Sequence, residues 1–216
     1  MTQSKLPEAY EIGWIPFIHT DIYLDSRPLI PRPETEYWVD LAIKEIEGKG
    51  IEQPKILDLC AGSGCIGISV LKEIPNALVD FVEIDKAHHQ TIRKNILMNN
   101  LDPDRVRIFD GDLFEKVIDS YDFILCNPPY IDPKLKGRIQ SSVIEHEPHE
   151  ALFGGEGGVI FIDTVLTQYR DYLNPDGMLY IEHEPEQAKT LESYLRYLNT
   201  GKDQYGLERF SRFVAS

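Results

Sequence analysis

The sequence has no long hydrophobic run and few basic residues, and each of these features argues against a class of protein. None of its apolar stretches reaches the ~18 residues that a membrane-spanning helix needs. Lys and Arg number 22 against 36 Asp and Glu, a net charge of −14, which argues against binding of duplex nucleic acid through its phosphates. The first residues, MTQSKLPEAYEIGW, lack the basic and apolar regions of a secretory signal. We therefore expect a cytoplasmic protein that does not enter a membrane.

Cysteine is also scarce. Cys60, Cys65 and Cys126 are an odd number in a chain that we expect to lie in a reducing compartment, so we expect no disulfide framework. The favoured interpretation is that all three are small buried side chains, and the alternative is a redox role. His146 and His149 flank Pro148, which breaks any helix that would align them, so we expect no metal site.

The 216 residues, 42% of them hydrophobic, are enough for one domain with a full core. From residue 54 onward, predicted strands alternate with predicted helices, which favours an α/β fold with a mostly parallel sheet covered by helices on both faces. We predict strands at 55–59, 77–83, 105–109, 121–126, 178–183 and 208–215, and helices at 65–74, 86–100, 158–173 and 185–198.

The first 50 residues precede this alternation. The segment 14–25 predicts a hairpin or an extended flap, and a helix is expected after Pro33. We expect residues 1–50 to form an N-terminal extension that packs on a larger domain of residues 51–216. Residues 131–157 are predicted to form a long loop, and loops of that length in compact domains commonly carry function.

A glycine-rich segment, DLCAGSGCIG (58–67), follows the predicted strand at 55–59 and opens the next helix. Gly62, Gly64 and Gly67 have the spacing G-x-G-x-x-G, and Glu83 ends the next strand, 21 residues after Gly62. Such glycines let a ligand approach the backbone, the helix N-terminus offers free N–H groups, and the acidic side chain can bind a ribose diol. The pattern favours a nucleoside ligand over a tight turn without one.

The negative charge of Asp58 beside this loop distinguishes between two candidate nucleoside ligands. Asp58 would repel the pyrophosphate of a dinucleotide, whereas it would attract the sulfonium and ammonium groups of S-adenosylmethionine. The alternative is an NAD-dependent oxidoreductase, but we find in this sequence no set of residues suited to hydride transfer. S-adenosylmethionine is therefore the predicted cofactor. In this topology Leu113 of GDLF (111–114) would pack on the adenine, and Asp112 would either reach the adenine amine or cap a helix.

The segment NPPY, at 127–130, ends the predicted strand at 121–126. Asn127 follows that strand, and Pro128 and Pro129 stop the ladder because proline has no N–H group. The Asn127 side-chain oxygen and the Pro128 carbonyl are predicted to hold an NH₂ group with its nitrogen lone pair towards the methyl donor. Tyr130 would form a flat wall over a planar amide or base. The alternative is a strand end with a capping asparagine.

Five segments together resemble the peptide-chain release factor glutamine N5-methyltransferases: LIPRPETE (29–36), DLCAGSGCIG, GDLF, NPPYI and EPHEALFGGEGG (147–158). The resemblance runs from about residue 12 to the end. It implies a Rossmann-like class I methyltransferase fold, with six or seven strands and an antiparallel C-terminal strand. The strand number is open because NTGKDQYG (199–206) is short for a sixth strand and its turn. The implied reaction is methylation of the glutamine amide in the GGQ motif of a release factor, which would be the protein partner.

The resemblance also implies roles for individual residues. Cys60, Ala61, Gly62, Ser63 and Gly64 would line the methionine end of the cofactor, Glu83 would bind the ribose and Leu113 the adenine. Asn127, Pro128, Pro129 and Tyr130 would hold the glutamine amide. Cys60 and Ala61 replace the family's usual glycine and threonine, and Glu83 replaces the commoner aspartate, with Asp85 as the alternative ribose ligand.

Two further expectations follow from the resemblance. Little sequence precedes the predicted hairpin, where family members carry a helical domain, so we expect weak binding of the protein substrate or a partner that replaces that domain. Arg32 and Glu36 either form a salt bridge that supports the pocket or contact the substrate. Two other functions stay open, a nucleic-acid adenine N6-methyltransferase and a non-catalytic subunit that keeps the fold.

Overall fold

The computed structural model describes residues 5–215. The strands are β1 Trp14–Phe17, β2 Thr20–Tyr23, β3 Lys55–Leu59, β4 Leu78–Glu83, β5 Val106–Asp110, β6 Tyr121–Cys126, β7 Leu173–Glu182, β8 Tyr197–Lys202 and β9 Glu208–Val214. The α-helices are α1 Glu8–Ile12, α2 Pro33–Gly48, α3 Cys65–Glu73, α4 Lys86–Met98, α5 Ser141–His146, α6 Ile160–Gln168 and α7 Ala188–Leu191.

Seven of these strands form one sheet in the order β5-β4-β3-β6-β7-β9-β8. The five strands from β5 to β7 are parallel, and β9 runs antiparallel to both β7 and β8. The predicted fold class is therefore confirmed, with seven strands. Chain order reverses between β3 and β6, and a ligand crevice lies outside the carboxyl ends of the strands at such a point.

Two hydrophobic clusters pack on opposite faces of the sheet. One contains buried residues of α2, α3 and α4, among them Trp38 and Ile68, and the other contains residues of α6 and α7, among them Val165 and Leu191. Helices on both faces explain why the central strands are apolar on both sides. Within residues 5–215, no helix is both long and apolar enough to cross a bilayer.

The hairpin of β1 and β2 is attached to the C-terminal end of α4 by two asparagine side chains, Asn95 in the helix and Asn99 directly after it. Asn95 Oδ1 accepts from the Tyr23 N–H at 2.8 Å, and Asn99 Oδ1 accepts from the Asp21 N–H at 3.0 Å. Phe17 and Ile22 of the hairpin are buried in the same cluster as Trp38. The division of the chain at residue 50 into an extension and a domain stays a prediction.

The predicted helix at 185–198 is wrong in its second half. The helix α7 ends at Leu191, and β8 begins at Tyr197, so the strand that we expected to be short or missing is present. Leu195 and Leu198 have the spacing of a helix face, yet they are 67% and 47% exposed. Arg196 has a φ of +68°, which a continuing helix could not accommodate, and the Tyr197 ring packs on Phe213 of β9. A helix here would have an apolar face with nothing packed on it. The chain instead forms a strand that pairs with β9.

Two other predictions are corrected in their detail. The helix predicted at 158–173 is α6 followed by a 3₁₀ turn over Tyr169–Tyr172, and the residues after it join β7. The loop at 131–157 contains α5 and three 3₁₀ segments, Pro133–Arg138, His149–Ala151 and Glu156–Gly158. This part of the chain is therefore folded against the sheet edge where the strands end.

Candidate active site

Two cavities adjoin at the carboxyl ends of the parallel strands. The first has a volume of about 570 Å³ and the second about 360 Å³. Four residues line both cavities: Leu29, Arg32, Asn127 and Ala151. The first cavity is also lined by the glycine loop after β3, by the end of β4 and by the GDLF turn after β5. Most of the sequence-predicted site residues therefore converge on one cleft, although they come from four different strand ends, and Asp58, Gly64 and Pro128 lie outside its lining.

The glycine loop is a tight turn with left-handed backbone at several positions. Cys60, Gly62 and Gly64 have φ values of +63°, +55° and +81°. The Ala61 N–H donates to the Val82 carbonyl at 3.0 Å, which ties the loop to β4. A Cβ on Gly62 would meet no atom within 4 Å. The loop backbone at Gly62 is therefore open to a ligand, as the sequence motif predicts.

Gly67 serves packing and not ligand approach. A Cβ at this position would lie 2.5 Å from the Phe81 ring of β4, and Gly67 lies in the first turn of α3. The absence of a side chain lets α3 approach the sheet closely, and its N-terminus is thereby brought to the cavity.

Glu83 lines the first cavity and also supports the glycine loop. One carboxylate oxygen accepts from the Gly62 N–H at 2.7 Å, and the other accepts from the Asp85 N–H at 2.8 Å. Its side chain is buried, and both oxygens have lone pairs left to accept from hydroxyl groups. Asp85 lines the same cavity, but its carboxylate caps α4 through the Ala87 N–H at 2.8 Å. This arrangement favours Glu83 over Asp85 as the diol ligand.

Asp58 does not line either cavity. It is fully buried between the end of β3 and the start of α3, where Oδ2 accepts from the Gly67 N–H at 2.8 Å. Burial raises the pKa of Asp58 well above its usual value, the Gly67 N–H lowers it, and the Glu83 charge raises it. Among residues 5–215, Asp58 Oδ1 is a buried acceptor without a hydrogen-bond partner. A buried carboxylate with one oxygen that lacks a donor fits a cationic ligand beside the loop, and it acts from behind the loop.

The remaining cofactor-site candidates divide between the cavity and its surroundings. Asp112 and Leu113 line the first cavity, and Leu113 has a φ of +47°. No helix begins at Asp112 in the described chain, and its carbonyl closes a turn to the Glu115 N–H at 3.0 Å, so the helix-cap interpretation is wrong. Cys60, Ala61 and Ser63 line the cavity, whereas Gly64 is buried beneath it against Ile92.

The four residues of NPPY point to different places. The Asn127 side chain lines both cavities, and its Nδ2 donates to Thr35 Oγ1 at 3.3 Å. Pro129 lines the first cavity and Tyr130 the second, while Pro128 is buried outside both linings. The Tyr130 hydroxyl donates to Glu182 at 2.8 Å, so its position is fixed by a buried carboxylate at the end of β7. Burial, then the Glu182 charge, raises the pKa of Tyr130 well above its usual value.

Arg32 and Glu36 do not pair with each other. Arg32 donates to Glu147 Oε1 at 2.7 Å, and Glu147 Oε2 accepts from the Ile30 N–H at 3.0 Å. Glu36 instead accepts from the Ile18 N–H of the hairpin turn. The Glu147 side chain is 1% exposed, so the bridge joins the segment before α2 to the long loop and closes one side of the cleft.

The glycine-rich segment FGGEGG packs backbone against backbone on NPPY. A Cβ on Gly154 would lie 2.4 Å from the Pro129 carbonyl oxygen, and one on Gly158 would lie 1.9 Å from that of Tyr130. The Gln187 side chain donates to the carbonyls of Tyr130 at 2.8 Å and Gly158 at 3.1 Å. Glycine is required at both positions because the two backbones leave no room for a side chain.

Sequence reasoning missed Thr35, Glu182 and Gln187. Thr35 lies in the first turn of α2, Glu182 ends β7, and Gln187 follows in the segment IEHEPEQ. Polar residues directly after an apolar strand, here MLYIEHE, are the same signal that singled out Asn127 after β6. His88 and His89 of α4 are both buried, and His88 lines the first cavity. In the described chain, no group of three His, Cys, Asp or Glu residues is placed to hold a metal ion.

The fold is that of the class I methyltransferases, with the cleft where their ligand crevice lies, which agrees with structural comparison. A methyltransferase of Pyrococcus furiosus superposes with a TM-score of 0.59 at 21% identity, covering 92% of this chain and 90% of that one. A T. thermophilus 16S rRNA N2 G1207 methyltransferase, solved with AdoMet and guanosine, gives 0.63 at 15% identity, covering 94% and 50%. At these identities the similarity establishes the fold alone.

The family follows from sequence comparison. The model of the methyltransferase small domain matches residues 40–174. Release factor glutamine methyltransferases of Clostridium botulinum and Flavobacterium psychrophilum are each 34% identical to this chain, over 185 and 217 residues. The alignments cover 84% and 96% of this chain, and 64% and 75% of the relatives. The chain belongs to the release factor glutamine methyltransferase family, and it is an S-adenosylmethionine-dependent methyltransferase.

Proposed function

We propose that this protein transfers a methyl group from S-adenosylmethionine to the side-chain amide nitrogen of a glutamine, in the GGQ motif of a peptide-chain release factor. The observation that carries the proposal is that two cavities adjoin at the Asn127 carboxamide. The first cavity has the residues expected to hold the methyl donor, and the second is the place for the acceptor. Family membership supports the same assignment.

The residues of the first cavity fit S-adenosylmethionine. Glu83 would accept from the ribose hydroxyls, Leu113 would pack on the adenine, and Ala61 to Ser63 would contact the methionine end. When bound, this cofactor supplies an electrophilic methyl group on a sulfonium. The buried Asp58 carboxylate favours a positive charge near the loop.

The second cavity fits an uncharged side chain better than a nucleotide. Its lining is mainly aliphatic, including Ile131, Ile139 and Val143. Arg32 is the cationic residue of this lining, and its charge is offset by the ion pair with Glu147 at 2.7 Å. The net charge of −14 also disfavours a polyphosphate. A glutamine side chain can enter such a cavity, and its binding needs no phosphate-binding surface.

In the proposed reaction, the chain positions the acceptor and needs no strong base. Asn127 Oδ1 accepts one amide N–H of the substrate, which fixes the direction of the nitrogen lone pair. The Pro128 carbonyl stays the predicted second acceptor, although Pro128 lies outside both cavity linings, and Tyr130 would form a flat wall over the amide. The nitrogen takes the methyl group from the donor sulfur, which would leave as the thioether of S-adenosylhomocysteine, and the nitrogen loses a proton to solvent.

The test is methyl transfer from radiolabelled S-adenosylmethionine to a release factor, with adenine-containing DNA and RNA in parallel. We expect label in the release factor, and none when its GGQ glutamine is changed to glutamate. Asn127→Ala should lower kcat at least ~10²-fold while S-adenosylhomocysteine affinity stays close to wild type. Label in nucleic acid and none in protein would reverse the assignment in favour of an adenine methyltransferase.

A further inference from the structure

Behind Asn127 lies a buried hydrogen-bond network centred on the Glu182 carboxylate. Oε2 accepts from Trp38 Nε1 at 2.6 Å and from Thr35 Oγ1 at 2.7 Å, and Oε1 accepts from Tyr130 Oη at 2.8 Å. Glu182 is 1% exposed, and its three donors come from α2 and from NPPY. The network therefore connects the end of β7 to α2, whose Thr35 lines the first cavity, and to NPPY, whose Tyr130 lines the second.

The network has a direction, because an ionised carboxylate accepts hydrogen bonds and never donates them. Burial raises the pKa of Glu182, and the donors Trp38, Thr35 and Tyr130 each lower it. The indole N–H can only donate, so Oε2 is an acceptor. The single hydroxyl proton of Thr35 is directed at Glu182, and Thr35 Oγ1 can then only accept from its other neighbour.

That neighbour is the Asn127 side chain. Its Nδ2 donates to Thr35 Oγ1 at 3.3 Å, which leaves Oδ1 as the atom that can accept an N–H from a ligand. A flipped carboxamide would place Oδ1 against an oxygen whose proton is already used, so two lone pairs would face each other. The NH₂ group would then point at the acceptor, which itself brings an NH₂ group.

We infer that Thr35 and Glu182 are positioning residues for methyl transfer: Glu182 orients the Thr35 hydroxyl, and this hydroxyl orients the Asn127 carboxamide with Oδ1 towards the acceptor. The inference rests on the proposed function, because the orientation is useful only if the acceptor nitrogen carries a proton to donate. The direction of the amide is thus set by residues that do not themselves touch the acceptor nitrogen.

The test uses Thr35→Val, which keeps the shape of the side chain and removes both hydrogen bonds. We expect kcat on a release factor to fall about tenfold or more, which corresponds to about 1.4 kcal/mol in the barrier, with S-adenosylhomocysteine affinity little changed. Thr35→Ser should restore most of kcat because it keeps the hydroxyl. Thr35→Ala, made in parallel, tests the same loss if the valine variant does not fold.

The matched control is Thr20→Val. Thr20 is also a buried threonine, and its hydroxyl donates to the Phe17 carbonyl at 2.6 Å, in the hairpin. Its loss should lower stability and leave kcat at the wild-type value. At Glu182, Glu182→Gln keeps an acceptor oxygen for Trp38 and Thr35, so it should keep far more activity than Glu182→Leu.

A second measurement follows the amide itself and needs no acceptor. In NMR spectra of the protein with S-adenosylhomocysteine, the Asn127 side-chain NH₂ signals should shift in Thr35→Val and return towards wild type in Thr35→Ser. If wild-type protein methylates no release factor, the proposed function fails, and the NMR result still decides the orientation. Wild-type kcat together with unshifted Asn127 signals in Thr35→Val would overturn the inference.

Discussion

The close contact between FGGEGG and NPPY can be tested with two neighbouring glycines. Gly157 and Gly158 have nearly the same φ, +67° and +69°, and both lie in the left-handed region that disfavours a side chain. A Cβ on Gly157 would have Val159 Cγ2 at 3.8 Å as its nearest contact, whereas one on Gly158 would lie 1.9 Å from the Tyr130 carbonyl oxygen. Alanine therefore imposes the same backbone strain at both positions and a collision at only one.

The expected magnitudes follow from these two terms. Left-handed backbone costs a residue with a Cβ about 1–2 kcal/mol, and this is the whole effect expected for Gly157→Ala. Gly158→Ala adds overpacking, at about 1–3 kcal/mol, because the Cβ meets backbone and cannot be accommodated by a rotamer change. It also moves the Gln187 amide, which lies 2.6 Å from the same Cβ. We therefore expect Gly158→Ala to lose about 2–5 kcal/mol from a total stability of order 5–15 kcal/mol.

Urea unfolding at equal m values measures both free energies, and the difference between the variants isolates the contact. Turnover provides a second comparison, because moving Tyr130 also moves the adjacent acceptor site. Gly158→Ala should lower kcat, and Gly157→Ala should leave it close to wild type. Equal unfolding free energies for the two variants would refute the close backbone contact between FGGEGG and NPPY.

Three further predictions concern single side chains. Glu83→Ala should weaken S-adenosylhomocysteine binding by about 1.5–3 kcal/mol for each charge-assisted hydrogen bond that is lost, measured by calorimetry. Burial lowers the pKa of His183 to about 4, so the unfolded state binds a proton that the folded state does not as pH falls from about 6.5 to 4. That proton should cost about 3 kcal/mol of stability across this window, measured by urea unfolding as a function of pH. Cys60 lines the first cavity and is half-buried, whereas the other two thiols are buried, so iodoacetamide should label Cys60 first and S-adenosylhomocysteine should protect it.

Each of these predictions has a control within the chain. Asp110→Ala removes an exposed acid at the end of the neighbouring strand and should leave cofactor affinity unchanged, and the cofactor-site assignment is wrong if it weakens binding as much as Glu83→Ala does. His183→Gln cannot titrate, so a pH dependence of stability identical to wild type would contradict the buried neutral imidazole. Cys60→Ala should abolish the protected labelling, and rapid labelling that remains would show that another thiol is accessible.

The parts of the fold that could be predicted from the sequence depend on neighbours along the chain. The turn from an apolar strand through GSG into a helix can be predicted from the local sequence, because glycine conformation and helix N-termini depend on residues close in the chain. The same holds for the strand end at NPPY. Parallel strands place their carboxyl ends at one edge, so the convergence of Gly62, Glu83, Leu113 and Asn127 on one cleft could also be predicted.

The tertiary structure decided what depends on partners far along the chain. Arg32 pairs with Glu147 and not with Glu36, β8 exists because β9 offers an edge, and Asp58 lies behind the loop and not in the cavity. Thr35 and Glu182, 147 residues apart, meet in a buried hydrogen bond of 2.7 Å. Which of several nearby carboxylates an arginine or a hydroxyl selects is a question of distance and burial in the folded chain. The local sequence pattern therefore defined the strands and helices and the reactive side chains at their ends. Packing in the folded chain determined the contacts that orient those side chains.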